Sequence, residues 1–173
     1  MVRRLMVPLA VAGFAAAALA SSGAAETKQI PVMYLHQQIE VAATPAAVWA
    51  YMTHGKSMVA MCPVWKSARN ASVNLTKVGD VLDYTDEWGN NGRSVVTTMV
   101  KDKELRIAHD PNKGDYMCQA KYVLTPSAKG TVVHYYEQYT DESSPKDMEA
   151  TAGKMAAEMT QTLAALKKGV EKK

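Results

Sequence analysis

The stretch SPKDMEATAGKMAAEMTQTLAALKKGV, residues 144–170, reads as one long amphipathic helix that closes whatever precedes it. Ser144 takes the N-cap and Pro145 the first helical position, where its missing N–H costs nothing. Asp147 completes a capping-box-like Ser-x-x-Asp. From there Met148, Ala152, Met155, Met159, Leu163, Leu166 and Val170 recur at steps of four and three, the spacing of a single apolar stripe. Lys154, Glu158, Gln161 and Lys168 fall on the opposite face. Lys167, Lys168, Lys172 and Lys173 suit the negative end of the helix dipole.

Such a stripe needs an apolar surface to cover, and the preceding sequence supplies strands. Val32 to Ala42 alternates, with Leu35, Gln37, Ile39 and Val41 on one face and His36, Gln38 and Glu40 on the other. Thr44-Pro45 starts a short helix that carries Val48, Trp49 and Met52 and ends near Gly55; a second helical turn covers Ser57 to Met61 and stops at Cys62-Pro63. Six strand-like runs follow: Trp65 to Val73, Val78 to Asp86, Arg93 to Lys101, Leu105 to Asp110, Tyr116 to Thr125 and Gly130 to Tyr139. Gly, Asn, Asp and Pro separate them, as in Glu87-Trp88-Gly89-Asn90-Asn91-Gly92 and Pro126-Ser127-Ala128-Lys129-Gly130. Connections this short demand antiparallel neighbours, because a parallel return takes about a dozen residues or more. The fold class is therefore α+β: a curved seven-stranded antiparallel sheet wrapped around a long C-terminal helix, with two short helices after the first strand.

Alternation also assigns faces. Leu82 and Tyr84 point inward, as do Tyr116, Cys118, Ala120, Tyr122 and Leu124, with Gln119 and Lys121 outward. In Arg93 to Lys101 the pattern supports Val95, Thr97 and Met99 or Val96, Thr98 and Val100 equally.

Residues 1–25 have the layout of a cleaved secretory signal: Arg3 and Arg4, then uncharged, Ala-rich Leu5 to Ala20, then small residues to Ala25. The apolar core is short of the roughly 20 residues that span a bilayer, so no membrane span is expected after cleavage. Residues 26–173 then make one domain by length, with a periplasmic or secreted location. The chain has 20 basic and 17 acidic residues, so losing Arg3 and Arg4 leaves a net charge of about +1. That balance leaves no electrostatic footprint for nucleic acid.

Cys62 and Cys118 admit three readings: a disulfide, separate buried thiols, or two soft metal ligands. Export favours the disulfide, which on the loop-entropy model contributes about 4 kcal/mol. His36, His54, His109 and His134 show no ligand-like spacing to either cysteine, so neither metal nor cofactor is expected. Acid–base chemistry would fall to His54, Asp83, His109 or Glu137, with Arg93 stabilising an oxyanion, yet none of these stands in a catalytic motif. Asn70-Ala71-Ser72 and Asn74-Leu75-Thr76 match the glycosylation acceptor pattern.

Five segments in order resemble the START-like, or SRPBCC, helix-grip superfamily of polyketide cyclase/dehydratase-like proteins. They are Gln38-Ile39-Glu40-Val41 with Ala43-Thr44-Pro45-Ala46-Ala47-Val48-Trp49; Val78-Gly79-Asp80; Leu124-Thr125-Pro126; Gly130-Thr131-Val132-Val133; and Leu163-Ala164-Ala165-Leu166-Lys167. The resemblance implies a cavity between sheet and grip helix. Export and length together look like the periplasmic MxaD family, which supports electron transfer from methanol dehydrogenase to its cytochrome. The expected function is a non-catalytic accessory or binding protein, whose partner is an apolar small molecule or a periplasmic protein such as that dehydrogenase and cytochrome. A lipid-like carrier or a cyclase/dehydratase-like enzyme is the alternative. The apolar cavity is expected to be lined by Gln37, Trp49, Met52, Trp65, Tyr84, Met99, Cys118, Tyr122, Met155 and Met159, with Trp88 at a hairpin tip as a partner contact.

Overall fold

The computed structural model describes residues 32–111, 117–140 and 145–172. Residues 1–25, expected as a signal, Tyr116, expected to face inward, and Ser144, expected as an N-cap, lie outside the described residues. Seven strands and three helices follow in the order β1 (Val32–Val41), α1 (Pro45–Met52), α2 (Gly55–Met61), β2 (Trp65–Ala68), β3 (Val81–Asp86), β4 (Asn91–Val100), β5 (Glu104–Pro111), β6 (Met117–Ser127), β7 (Gly130–Thr140) and α3 (Pro145–Glu171). The sheet runs β1-β7-β6-β5-β4-β3-β2, and every pairing is antiparallel. It is the curved meander closed by one helix that the element order demands.

Thr44 starts α1 by accepting from the Ala47 N–H at 3.3 Å, and Pro45 follows at the first turn. The helix stops at Met52, before Gly55: Thr53 caps it with its hydroxyl donating to the Trp49 carbonyl at 2.8 Å, and the His54 N–H then tightens the turn onto the Tyr51 carbonyl at 3.2 Å. Gly55 instead opens α2, its N–H bonded to the Val73 carbonyl. β2 ends at Ala68 rather than Val73. The Asn70 side chain breaks it by donating to the Val81 carbonyl at 2.7 Å and accepting from the Asp83 N–H at 3.1 Å. That commitment also ties down the Asn70 amide that a glycan would need. β3 starts at Val81 rather than Val78, because the Asp80 carboxylate gathers the N–H groups of Thr76 and Lys77 into a turn.

The two candidate faces of β4 are both partly right. Ser94 and Val96 point inward, then the register shifts between Val96 and Thr98, leaving Thr97 as the extra residue of a β-bulge. Past it the inward set flips: Met99 packs on the core opposite Leu105, and Val100 is exposed.

α3 lies across β1, α1, α2 and β7. Met159, Leu163, Leu166 and Val170 join Val41, Val48, Met52, Leu105, Ile107 and Val133 in one core. Its last turn is pinned to the sheet: Lys167 Nζ donates to the Glu40 carbonyl at 2.6 Å, and Glu171 accepts from the Ala42 N–H at 2.7 Å. Gly130, at φ 140, opens β7 where a Cβ would stand 2.2 Å from the Val41 carbonyl oxygen, so only glycine permits this approach of β7 to the end of β1. No helix among the described residues is long and apolar enough to cross a membrane.

Candidate functional site

Between the inner faces of β2, β3, β5, β6 and β7 and the Thr151-to-Thr162 stretch of α3 lies a cavity of about 320 Å³. Trp65, Tyr84, Cys118, Met155 and Met159 of the expected lining are on its wall, together with Trp88 and Cys62. Trp49, Met52 and Tyr122 are instead buried in the core, Met99 packs against it, and Gln37 sits half-buried on β1. Those five do not line the cavity. Trp49, Met52 and Tyr122 are consumed by the packing of the helices against the sheet, which leaves the space between α3 and the inward side chains of β2, β3, β5, β6 and β7.

One wall is a flat aromatic pair. The rings of Trp65 and Tyr84 stack at 4.6 Å with 7° between their planes, and His109 meets both edge-on. Gly92, paired with Tyr84 across β3 and β4, makes the stack possible: a Cβ there would stand 2.2 Å from the Tyr84 ring. Gly92→Ala is expected to push Tyr84 off Trp65, lose about 0.5–1.5 kcal/mol of stability and erase the near-ultraviolet circular dichroism of the pair. An unchanged spectrum would separate the glycine from the stack.

The floor is not apolar, contrary to expectation. His109 on β5, Cys118 on β6 and Glu137 on β7 bring their ligating atoms within 4.8 Å of one another. His109 and Cys118 are register partners, and Glu137 lies one inward position along β7 from the partner of Cys118. Alternation decides this: Thr131, Val133, Tyr135, Glu137 and Tyr139 all face inward, so Glu137 is carried into the pocket by its neighbours. Its Oε1 accepts from the Cys118 thiol, while Oε2 has no hydrogen-bond partner among the described residues. Nδ1 of His109 meets the hydroxyl of buried Ser94 at 2.8 Å.

Burial sets the protonation states. It drives His109 down to about 4, so the imidazole is neutral at pH 7. Burial raises Glu137 above the ordinary carboxylate range, with the Cys118 thiol and Tyr135 hydroxyl pulling the other way. Cys62 is pushed up to about 12 and Cys118 well above its usual range, first by burial and for Cys118 next by the Glu137 charge. Both are therefore thiols at neutral pH, poor nucleophiles while they keep their protons.

Both cysteines are free in this structure rather than bridged, and they occupy the same pocket wall. The Cys118 thiol is turned to Glu137 instead of Cys62. Glu158 and Lys154, expected on the solvent face of the helix, stand at the pocket's edge; burial and the neighbouring Glu87 charge raise Glu158. Of the acid–base candidates, only His109 and Glu137 meet. Asp83 pairs with Arg93 at 3.1 Å on the opposite face of β3 and with Arg69 at 3.6 Å, and His54 stands at the N-cap position of α2, away from the cavity.

The model of the family described as polyketide cyclase / dehydrase and lipid transport matches residues 34–171. This chain belongs to that family. Solved structures share its fold at low identity. A Mesorhizobium loti protein superposes with a TM-score of 0.66 at 14% identity, over 81% of this chain and 98% of its own. Truncated norcoclaurine synthase from Thalictrum flavum gives 0.63 at 15%, over 83% and 96%. A Rhodobacter sphaeroides protein gives 0.58 at 21%, over 83% and 98%. No curated protein matches the sequence. These likenesses are of fold.

Proposed function

We propose that this chain binds a compact, planar small molecule, its flat body against the Trp65–Tyr84 pair and a polar group toward the floor. The observation that carries this reading is the cavity itself: about 320 Å³, walled by a stacked aromatic pair and ending on three polar side chains. Ligand pockets run from about 300 to 1,000 Å³, so this one sits at the small end and suits one or two rings better than a long acyl chain. Titration with hydroxylated aromatics should quench the fluorescence of Trp65 and Trp88, and Trp65→Ala or Tyr84→Ala should weaken binding by about 1–2 kcal/mol. Tight binding of a fatty acid with indifference to aromatics would reverse it in favour of a lipid carrier. Native mass spectrometry of protein from its own host names the ligand.

The same floor supports a second reading, a cyclase/dehydratase-like enzyme, because a buried carboxyl of raised pKa beside a neutral imidazole is the material of acid–base catalysis. Glu137→Gln separates the two: a binder keeps its effect, whereas a catalyst binds and no longer converts.

The cellular part of the proposal is export through residues 1–25 and, in its finest form, MxaD-like support of a dehydrogenase–cytochrome pair. Trp88 supports a protein partner, being 68% exposed on the tip between β3 and β4 at the edge of the cavity. A mature N-terminus near Glu26, and electron transfer that rises with added protein and falls with Trp88→Ala, are the results expected.

A further inference from the structure

The floor of the cavity assembles one sulfur, one imidazole and one carboxylate from three adjacent strands, with their ligating atoms within 4.8 Å of one another. Glu137 is 4% exposed, and its Oε2 is a buried oxygen with no hydrogen-bond partner among the described residues. Such an atom is costly to bury unless something completes it. On the far side of the cluster the hydroxyl of Ser94, 2% exposed, engages Nδ1 of His109 at 2.8 Å and leaves Nε2 for a ligand. A partner of this kind on the other ring nitrogen is how proteins fix the tautomer and direction of a ligating histidine. Trp65 and Tyr84 hold the same ring edge-on.

We propose that His109, Cys118 and Glu137 bind one divalent metal ion of zinc's class, with the cavity providing an open fourth position. The donor set selects the metal: sulfur and imidazole suit zinc or cobalt, whereas magnesium and calcium take oxygen. Charge makes the same choice. A thiolate and a carboxylate bring two negative charges into a buried floor; a divalent ion cancels both, and monovalent copper would leave one uncompensated. Three protein ligands with a fourth position open to a cavity is the pattern of zinc sites that accept a small molecule, in contrast to closed structural sites. On binding, the Cys118 S–H bond breaks, a sulfur–metal bond forms and the proton leaves to solvent, with no change of oxidation state. The site stands independently of the planar-ligand reading, since the metal alone is the probe.

The test is titration of the reduced, chelator-stripped chain, as purified from its host, with Zn²⁺ and with Co²⁺. One equivalent of Zn²⁺ should bind with about one proton released, read from the buffer dependence of the calorimetric enthalpy. Co²⁺ should give a thiolate-to-metal charge-transfer band and intense tetrahedral d–d bands. Cys118→Ser should abolish the charge-transfer band, and Glu137→Gln or His109→Gln should weaken Zn²⁺ by more than about 100-fold. Ser94→Ala, which removes no ligand, should weaken it about 10–100-fold. His36→Ala, on the outer face of β1, should change nothing. If Cys118→Ser fails to fold, Cys62→Ser decides: it leaves Cys118 as the chain's single thiol, and the charge-transfer band should persist in it, whereas its loss overturns the site. Absence of binding, or binding that survives Cys118→Ser and Glu137→Gln, overturns the site. Aromatic-ligand titration repeated in chelator shows whether the planar-ligand reading stands without it.

Discussion

Met159→Asp is expected to destabilise the protein by about 4 kcal/mol or more, enough to abolish folding in a domain of ordinary stability. Met159 is 2% exposed at the centre of α3, packed in the cluster that holds Leu163, Leu166 and the inner face of the sheet. A carboxylate there would lose its hydration and find Asp86, Glu137 and Glu158 as the carboxyl groups sharing its cavity wall, all of its own sign, while Lys154 stands at the exposed edge. Loss of the thioether's packing adds to this, since Met to small-residue changes in cores cost about 2–5 kcal/mol. Met159→Leu, which keeps the volume, should stay within about 1.5 kcal/mol, and Gln161→Asp on the exposed face within about 0.5 kcal/mol. Urea denaturation of the three variants gives the comparison. Equal midpoints for Met159→Asp and Gln161→Asp would show that α3 does not grip the sheet through this face.

The grip helix could be read so directly because a stripe at steps of four and three over many turns has one physical solution, and the strands because their turns are written in Gly, Asn, Asp and Pro. What escaped the alternation were places where a side chain overrides a strand's periodicity. Asn70 ends β2 by taking over two backbone groups, and Asp80 delays β3 in the same way. In β4, the ambiguity between its two apolar sets was itself the signal of the bulge at Thr97, where inward and outward exchange.

The candidate site was legible in part for a related reason. Trp65, Tyr84, Cys118, Met155 and Met159 were visible as inward residues on elements that face one another, and the structure places them on the cavity wall. Trp49, Met52 and Tyr122 satisfy the same criterion yet lie where the helices seal the sheet, a distinction that depends on tilt and not on periodicity. The polar floor was missed because its members are far apart in sequence and no local spacing marks them. Strand register alone brings His109 to Cys118, and alternation along β7 brings Glu137 to both. The inward face of β7, Val133, Tyr135, Glu137 and Tyr139, held the available clue: a glutamate in phase with buried residues.

Acid should weaken the metal-free protein between about pH 6.5 and pH 4, through His109. Its folded-state pKa, about 4, lies below the ordinary 6.5, because burial disfavours the imidazolium. Above pH 6.5 the ring is neutral folded and unfolded, and its contribution is fully present. As the pH falls below 6.5 the unfolded chain takes up a proton that the folded chain refuses, so stability drops at about 1.4 kcal/mol per pH unit until the folded ring protonates. The ceiling on this loss is about 3 kcal/mol, reduced by whatever water reaches the ring from the cavity. Glu137 acts with the opposite sign. Its raised folded-state pKa means that the folded chain takes up the proton first, so acidification relieves the cost of a buried carboxylate and masks part of the histidine effect. His109→Gln should therefore flatten the acid limb of a stability–pH curve, and Glu137→Gln should raise stability at pH 7 while steepening that limb. Urea midpoints in chelator-containing buffer at half-unit steps measure all three curves. Parallel curves for the parent and His109→Gln would mean that the ring titrates freely, and would take with them the account of a dry, preorganised floor.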